Sequence, residues 1–377
     1  MADETMKSAS DDVFMRRAIE LARRGEGKVN PNPLVGAVIE KDGVILGEGF
    51  HEKYGGLHAE RQAIKDALEK GNDVSDATLF VTLEPCCHFG KQPPCTQAIV
   101  DAKIKRVVVG SRDPNPLVAG KGSDFLRENG VLVDEDFLRD ECDALNSIFF
   151  HYITTGTPYI ALKYAMTADG KIAAKNAPSK WITGERARNF VHALRNRYSA
   201  IMVGIGTVLA DDPLLTCRLP HSSNPLRIIL DSSLRIPMES QIVKTAKDVP
   251  TMIVCASLLE TQKEKKDALE AAGAEVVFLF DENKSTSVDI ATLFRLLGER
   301  KIDSVLVEGG AEINCSVLET GFVNHIYSFV GGKIFGSGKS PVEGACAAFV
   351  KGAYNLHLKS VSQFDDDALM EWDVIEP

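Results

Sequence analysis

His58-Ala59-Glu60, followed by Glu84-Pro85-Cys86-Cys87-His88-Phe89-Gly90-Lys91-Gln92-Pro93-Pro94-Cys95, decides how this chain reads. One imidazole (His58) and two thiolates (Cys86 and Cys95) supply three ligands to a tetrahedral Zn²⁺ and leave the fourth position for water. Glu60 stands two residues after His58, too close to be a further ligand from the same turn. It is placed instead to move that water's protons as a general acid and base.

The flanks of this stretch alternate helix and strand signals. His58–Leu68 reads as a helix, Thr78–Leu83 as a buried strand and Pro94–Ala102 as a second helix. Proline at a first helical position would put Cys95 in the first turn, where the positive helix end lowers a thiol's pKa. Upstream, Asp11 or Asp12 caps a helix through Arg24 that carries Phe14, Ala18, Leu21 and Ala22 on one face. Leu34–Glu40 and Val44–Gly49 flank Asp42-Gly43, a hairpin signal. Downstream, Arg106–Val109 and Val131–Val133 read as strands, and Glu135 to about Phe149 as one helix. Strands separated by helices predict a sheet covered on both faces.

Thr154-Thr155-Gly156-Thr157-Pro158 marks a boundary, and the pattern then restarts. Strands are expected at Tyr159–Tyr164, Ala200–Val203, Arg227–Leu230, Thr251–Val254, Glu275–Phe278 and Ser304–Val307. Helices are expected at Glu185–Arg197, Glu260–Ala272, Val288–Glu299 and Ala311–Thr320. The chain therefore reads as two α/β domains, residues 1–153 and 158–377, a division that 377 residues at 44% hydrophobic can support with full cores.

Composition narrows the function classes. A formal charge of −10 repels phosphate backbones, which disfavours extended nucleic-acid binding and leaves room for a single phosphate held by a local Arg cluster. Eight cysteines in a chain of this length do not make a disulfide framework and suit a reducing, cytoplasmic compartment. No run of 18 apolar residues is present to span a membrane, and residues 1–11 carry neither a secretory nor a transit signal.

For the metal cluster, a structural site completed by Cys87 or His88 is the bland alternative. Two free buried cysteines beside a surface histidine are another. Against both stands the His-x-Glu element with Pro-Cys, the arrangement of hydrolytic zinc deaminases, in which the Glu is not a ligand. Two phosphate-loop lookalikes are weak. Gly204-Ile205-Gly206 lacks the third glycine of a dinucleotide fingerprint, and Gly338-Lys339-Ser340 has Lys333 where a P-loop needs its first glycine.

With Thr82-Leu83-Glu84-Pro85-Cys86 and Pro93-Pro94-Cys95, the cluster resembles the cytidine-deaminase superfamily. The long Cys86–Cys95 spacing, Asn30-Pro31-Asn32-Pro33-Leu34-Val35-Gly36 and the run Arg112–Gly122 resemble one branch, the bifunctional riboflavin-biosynthesis deaminase–reductases. The second half resembles that family's reductase domain at Ala161–Ala173, Ser179–Thr183, Val203–Arg218 and Val307-Glu308-Gly309-Gly310. The resemblance implies a cytidine-deaminase-like three-layer α/β/α domain followed by a dihydrofolate-reductase-like α/β domain. It implies zinc-dependent deamination of 2,5-diamino-6-ribosylamino-4(3H)-pyrimidinone 5′-phosphate, then NADPH-dependent reduction of the ribosyl group to ribityl.

The family's roles carry over residue by residue. Zinc falls to His58, Cys86 and Cys95, with Glu60 catalytic; Asn32, His51, His88, Lys91, Asp113 and Asn115 fall to the pyrimidine ribotide. NADPH falls to Ala165, Trp181, Thr207, Asp211, Ser232 and the stretch Gly310, Ala311, Glu312, Ile313, Asn314, Cys315 and Ser316. Ser179, Arg195, Leu214, Arg218 and Glu308 fall to the sugar phosphate, where two guanidiniums suit one monoester. Asp211 is also the candidate for an electrostatic or proton-handling role. Turn formation explains Asn32, Asp113 and Asn115 equally well, and core packing explains Trp181. A homo-oligomer, dimer or tetramer, is implied by the family alone. The competing readings are a nucleic-acid base deaminase, a non-enzymatic zinc protein with a nucleotide-sensing second domain, and an enzyme with one active half.

Overall fold

The computed structural model describes residues 2–87, 93–115, 119–174, 181–257, 260–280, 287–344 and 352–375. The chain divides into two units, Met1–Gly156 and Thr157–Pro377.

The first unit runs α1 (Ala2–Arg23), β1 (Gly36–Lys41), β2 (Val44–Phe50), α2 (Ala59–Glu69), β3 (Thr78–Leu83), α3 (Cys95–Asp101), β4 (Arg106–Ser111), α4 (Lys121–Glu128), β5 (Leu132–Asp134), α5 (Arg139–Leu145) and α6 (Ser147–Thr155). The sheet order is β2-β1-β3-β4-β5, with β1 antiparallel to both neighbours and β3, β4 and β5 parallel. Period-two alternation sorts its two faces. Ile39, Leu79, Val81, Val107 and Val109 pack with Ala59, Ala63, Ala67, Ile99 and Leu126 of α2, α3 and α4. Val38, Phe80 and Val108 pack with Phe14, Met15, Ala18, Cys142 and Leu145 of α1 and α5. This is the expected three-layer α/β/α arrangement.

Close approach fixes α2. A side chain at Gly47 would run into the carbonyl of Ala63, and one at Gly49 into that of Ala59. Two glycines on β2 therefore let the alanine face of α2 lie directly on the strand, which sets the position of the His58–Glu60 end. The single helix expected from Glu135 to Phe149 is two. Asp136 and Leu138 hold left-handed backbone (φ 63° and 51°), and Asn146 separates α5 from α6. The Asn146 side chain is spent on the Leu34 backbone, accepting from its N–H (2.8 Å) and donating to its C=O (2.9 Å). Thr154 and Thr155, expected in the boundary, close α6 before the left-handed Gly156.

The second unit runs β6 (Tyr159–Thr167), β7 (Ala173–Ala174), α7 (Glu185–Arg197), β8 (Ala200–Gly204), α8 (Ile205–Asp211), β9 (Leu226–Leu230), α9 (Gln241–Lys244), β10 (Thr251–Cys255), α10 (Lys263–Ala271), β11 (Glu275–Phe278), α11 (Ile290–Glu299), β12 (Ser304–Val307), α12 (Ala311–Glu319), β13 (Val323–Gly331), β14 (Gly338–Lys339), β15 (Asn355–Phe364) and β16 (Asp367–Ile375). Its main sheet has the order β11-β10-β9-β8-β12-β6-β13-β16-β15. The strands from β11 to β13 are parallel, and β16 and β15 close one edge antiparallel. Cores lie on both faces.

The strands beyond Thr320 had no counterpart in the sequence reading. β13 buries His325 and Ser328 among its apolar residues, and β15 leaves Leu358 and Val361 exposed, so neither shows a clean alternation. Among the described residues Cys86, Cys87, Cys95, Cys142, Cys217 and Cys255 are free thiols and Cys315 is disulfide-bonded, which is no disulfide framework. Among the described residues no helix is long and apolar enough to cross a membrane.

Candidate active sites

In the first unit, three chain segments converge at the ends of β3 and α2. His58 is the N-cap of α2, with extended backbone, and Glu60 lies in the first helical turn. Cys86 follows β3, and Cys95 is the first residue of α3; Pro94 is the N-cap, one position earlier than expected. The His58 Nδ1 lies 3.5 Å from Cys86 Sγ and 3.3 Å from Cys95 Sγ, and the three donor atoms fall within 4.8 Å of one another. Zn–N and Zn–S bonds of about 2.0–2.1 and 2.3 Å at a tetrahedral angle separate N from S by about 3.6 Å. The donor set fits zinc in chemistry and in spacing.

Glu60 is fully buried, and burial raises its carboxyl pKa, which suits a group that must both accept and release a proton. The two thiols are coupled. Hydrogen bonding from Cys95 holds Cys86 down to about 4, and the same contact, with burial, pushes Cys95 well up. The N–H of Cys95 points at Cys86 Sγ (3.4 Å), so the helix end stabilises the neighbouring sulfur.

Sequence reasoning missed the braces around this cluster. Arg61 donates to Pro93 O (3.2 Å) and Pro94 O (3.1 Å), tying α2 to the turn that presents Cys95. Glu84, buried, accepts from the N–H groups of Gly120 and Gly122 (both 3.0 Å) at the start of α4. A side chain at Gly122 would collide with Pro85 O, so the loop before Cys86 rests on that turn. The only available signal was a charged residue at a strand or helix end.

Of the proposed pyrimidine contacts, Asn32 and His51 are brought beside the cluster. The His51 ring meets His58 edge-on, with centroids 5.6 Å apart. Leu57 O can only accept, so His51 Nδ1 donates to it (3.0 Å) and Nε2 accepts from Asn32 Nδ2 (3.1 Å). Burial lowers the His51 pKa and keeps the ring neutral. Asp113 accepts from Asn115 N (2.8 Å), forming a turn just past β4, whose last residue accepts from Glu84 N (3.0 Å). His88 and Lys91 lie outside the described residues.

In the second unit a cleft of about 1600 Å³ opens at the carboxyl ends of the parallel strands. That exceeds the roughly 300–1,000 Å³ of a single small-molecule site and leaves room for two ligands side by side. Ala165, Trp181, Thr207, Asp211, Ser232, Gly310, Ala311, Glu312, Ile313 and Ser316 line it, as do Arg195, Leu214, Arg218 and Glu308. Asn314 and Cys315, also on α12, are buried and do not line the cleft, with Asn314 donating to Pro341 O (2.8 Å). Ser179 lies outside the described residues. Trp181, weighed as a core residue, is 59% exposed and stacks under Arg188, whose guanidinium carbon is 4.6 Å from a ring centroid. The glycine pair before α12 and the polar cleft wall fit a dinucleotide phosphate.

The pairing of charges departs from the two-guanidinium picture. Arg195 makes a bidentate contact with Glu308 (Nε to Oε1 2.7 Å, Nη2 to Oε2 3.0 Å), and Lys163 Nζ reaches Oε2 at 3.3 Å. These two cations outweigh the burial of Glu308 and hold its carboxyl down to about 2. Lys163 was quoted within a motif and given no role by sequence. Arg218 has no ion-pair partner among the described residues.

Residues 8–111 match the cytidine and deoxycytidylate deaminase zinc-binding region, and residues 158–370 match the RibD C-terminal domain. The riboflavin biosynthesis protein RibD of Actinobacillus pleuropneumoniae is 48% identical over 379 residues, covering 100% of this chain and 99% of that one. The chain belongs to the RibD family. It is a bifunctional deaminase–reductase of riboflavin biosynthesis, with a zinc-dependent and an NADPH-dependent half. The RibD protein of Aquifex aeolicus is 43% identical, covering 88% of this chain and 89% of its own. Among solved structures, the diaminohydroxyphosphoribosylaminopyrimidine deaminase/5-amino-6-(5-phosphoribosylamino)uracil reductase of Thermotoga maritima superposes with a TM-score of 0.86 at 40% identity, covering 98% of this chain and 100% of that one. Acinetobacter baumannii RibD gives 0.84 at 35% identity, over 98% and 99% of the two chains.

Proposed function

We propose that residues 1–153 deaminate 2,5-diamino-6-ribosylamino-4(3H)-pyrimidinone 5′-phosphate and that residues 158–377 then reduce its ribosyl group to ribityl. The observation that carries the first step is the meeting of the His58, Cys86 and Cys95 donor atoms beside a buried Glu60. His58, Cys86 and Cys95 hold the zinc. When bound, zinc supplies Lewis-acid activation of a water molecule. Glu60, buried beside the three donors, takes a proton from the attacking water and returns it to the departing amine. Asn32 and neutral His51 read the pyrimidine edge from one side, and Asp113 and Asn115 from the ends of the neighbouring strands, with His88 and Lys91 assigned to the ribotide by the family pattern.

In the second step, NADPH supplies the hydride when bound. Ala165, Trp181, Thr207, Asp211, Ser232 and the α12 entry from Gly310 to Ser316 position it, Asn314 and Cys315 through their packing within the helix. Ser179, Leu214 and Arg218 hold the sugar phosphate, and Arg195 with Glu308 forms the floor beneath it. Asp211 serves the electrostatics of the transfer. The same reading carries a cytoplasmic enzyme that self-associates as a dimer or tetramer, which sedimentation of the purified chain measures.

The test uses the ribotide with ammonia release and NADPH oxidation followed separately. Glu60→Gln should lower ammonia release by about 10²–10⁴-fold while one zinc per chain stays bound. Loss of zinc with no other defect would remove the acid–base role.

A further inference from the structure

Arg227, at the start of β9, is completely buried and has no carboxylate among its partners in the described residues. Every one of its hydrogen bonds goes to an uncharged acceptor. Nε and Nη2 donate to Thr251 Oγ1 (3.0 and 2.7 Å), and Nη2 also to Ile242 O (3.0 Å) and Val249 O (3.1 Å). Nη1 donates to Thr245 Oγ1 (2.8 Å) and to Leu214 O (3.2 Å). Burial pulls its pKa down to about 10, a measure of how unwelcome the charge is there.

Packing alone does not account for such a residue, because an apolar side chain would fill the same volume without desolvating a cation. What an aliphatic chain cannot do is join three segments at once: the residue 214 loop, α9 with its end, and the lead into β10. A planar guanidinium with five donors can. The loop it reaches has an irregular backbone. Asp212 and Leu215 both take left-handed backbone (φ 40° and 54°), a costly choice for residues other than glycine. Two carbonyls along it are held by arginines, Leu214 O by Arg227 and Thr216 O by Arg195 (3.2 Å). Asp211 ends α8 ahead of this loop, and Pro213, Leu214 and Arg218 within it face the cleft.

We propose that Arg227 is a positioning residue for the reductase half. It touches neither ligand, and by fixing Leu214 O it places the loop that presents Leu214 and Arg218 to the sugar phosphate. The inference rests on the reading of that loop as the phosphate wall.

The experiment uses the full-length zinc enzyme with pre-deaminated ribotide. Arg227→Lys keeps the charge but has one nitrogen where three are needed. It should raise KM for the ribotide about tenfold while kcat, KM for NADPH and ammonia release from the other half stay within about twofold of wild type. Hydrogen exchange should quicken at amides 214–218 and not along β10. If Arg227→Lys does not fold, Thr245→Val, which strips the second acceptor from the same Nη1, should shift ribotide KM about threefold in the same direction. An unchanged ribotide KM in a folded variant overturns the proposal, as does a parallel loss in kcat and both KM values with a lowered Tm. Arg218→Ala separates the two layers of the argument. If it leaves ribotide KM untouched, the phosphate wall is misread; if it raises KM and Arg227→Lys does not, the positioning role alone fails.

Discussion

Glu308 sits between Arg195 and Lys163, whose side chains are 14% and 15% exposed, so each cation relies on one carboxylate for its counter-charge. Replacing it by glutamine strands both and should cost about 3–5 kcal/mol of stability at neutral pH, read from urea midpoints. The pH dependence has a definite sign. A carboxyl depressed to about 2 in the folded chain, against about 4.3 unfolded, contributes fully above the unfolded value and loses that contribution as pH falls through the folded one. The wild-type and Glu308→Gln midpoints should therefore draw together on acidification below about pH 4 and stay apart above it. A constant gap across that range would mean that the ion triad adds nothing. At this scale the sequence named Glu308 and Arg195 but paired neither, because the two lie 113 positions apart and only the sheet joins them.

The element that matters most to the metal cluster is α2, and its placement depends on what β2 lacks. Gly49→Ala would press a methyl group into the backbone of Ala59 and Ala63. The helix must then shift away from β2, at about 1–3 kcal/mol, carrying His58 and Glu60 with it. The expected result is a chain that binds less zinc per mole after dialysis and releases ammonia more slowly, with NADPH oxidation of pre-deaminated ribotide unchanged. Full zinc occupancy and full activity in Gly49→Ala would show that α2 is held by something else. Helices and strands with a strong period, such as α7 over Glu185–Arg197, β3 over Thr78–Leu83 and β11 over Glu275–Phe278, were legible in the sequence to the residue. The break at Asn146 was not. Its cause is a hydrogen-bonded pair with Leu34, distant in the chain and silent in any local window.

Across the whole molecule, each unit carries its own core and its own site residues, so the two chemistries should be separable. Chelation of zinc should abolish ammonia release and leave NADPH oxidation of pre-deaminated ribotide intact, whereas Asp211→Ala should do the reverse. Loss of both activities in either treatment would mean that the halves depend on each other. By itself the sequence determined the α/β class and a candidate zinc-hydrolase cluster, because ligand identity, short motif spacing and apolar period are local properties of a chain; the two-step chemistry was implied by its resemblance to the deaminase–reductase family. Tertiary structure alone decided which groups share a proton or a charge. It brought the N–H at the start of α3 to Cys86 Sγ, gave Arg195 to Glu308, and surrounded Arg227 with hydroxyl and carbonyl acceptors among the described residues. Burial and hydrogen-bond partnership arise between segments far apart in sequence, and those are the terms that set a pKa and the position of a loop.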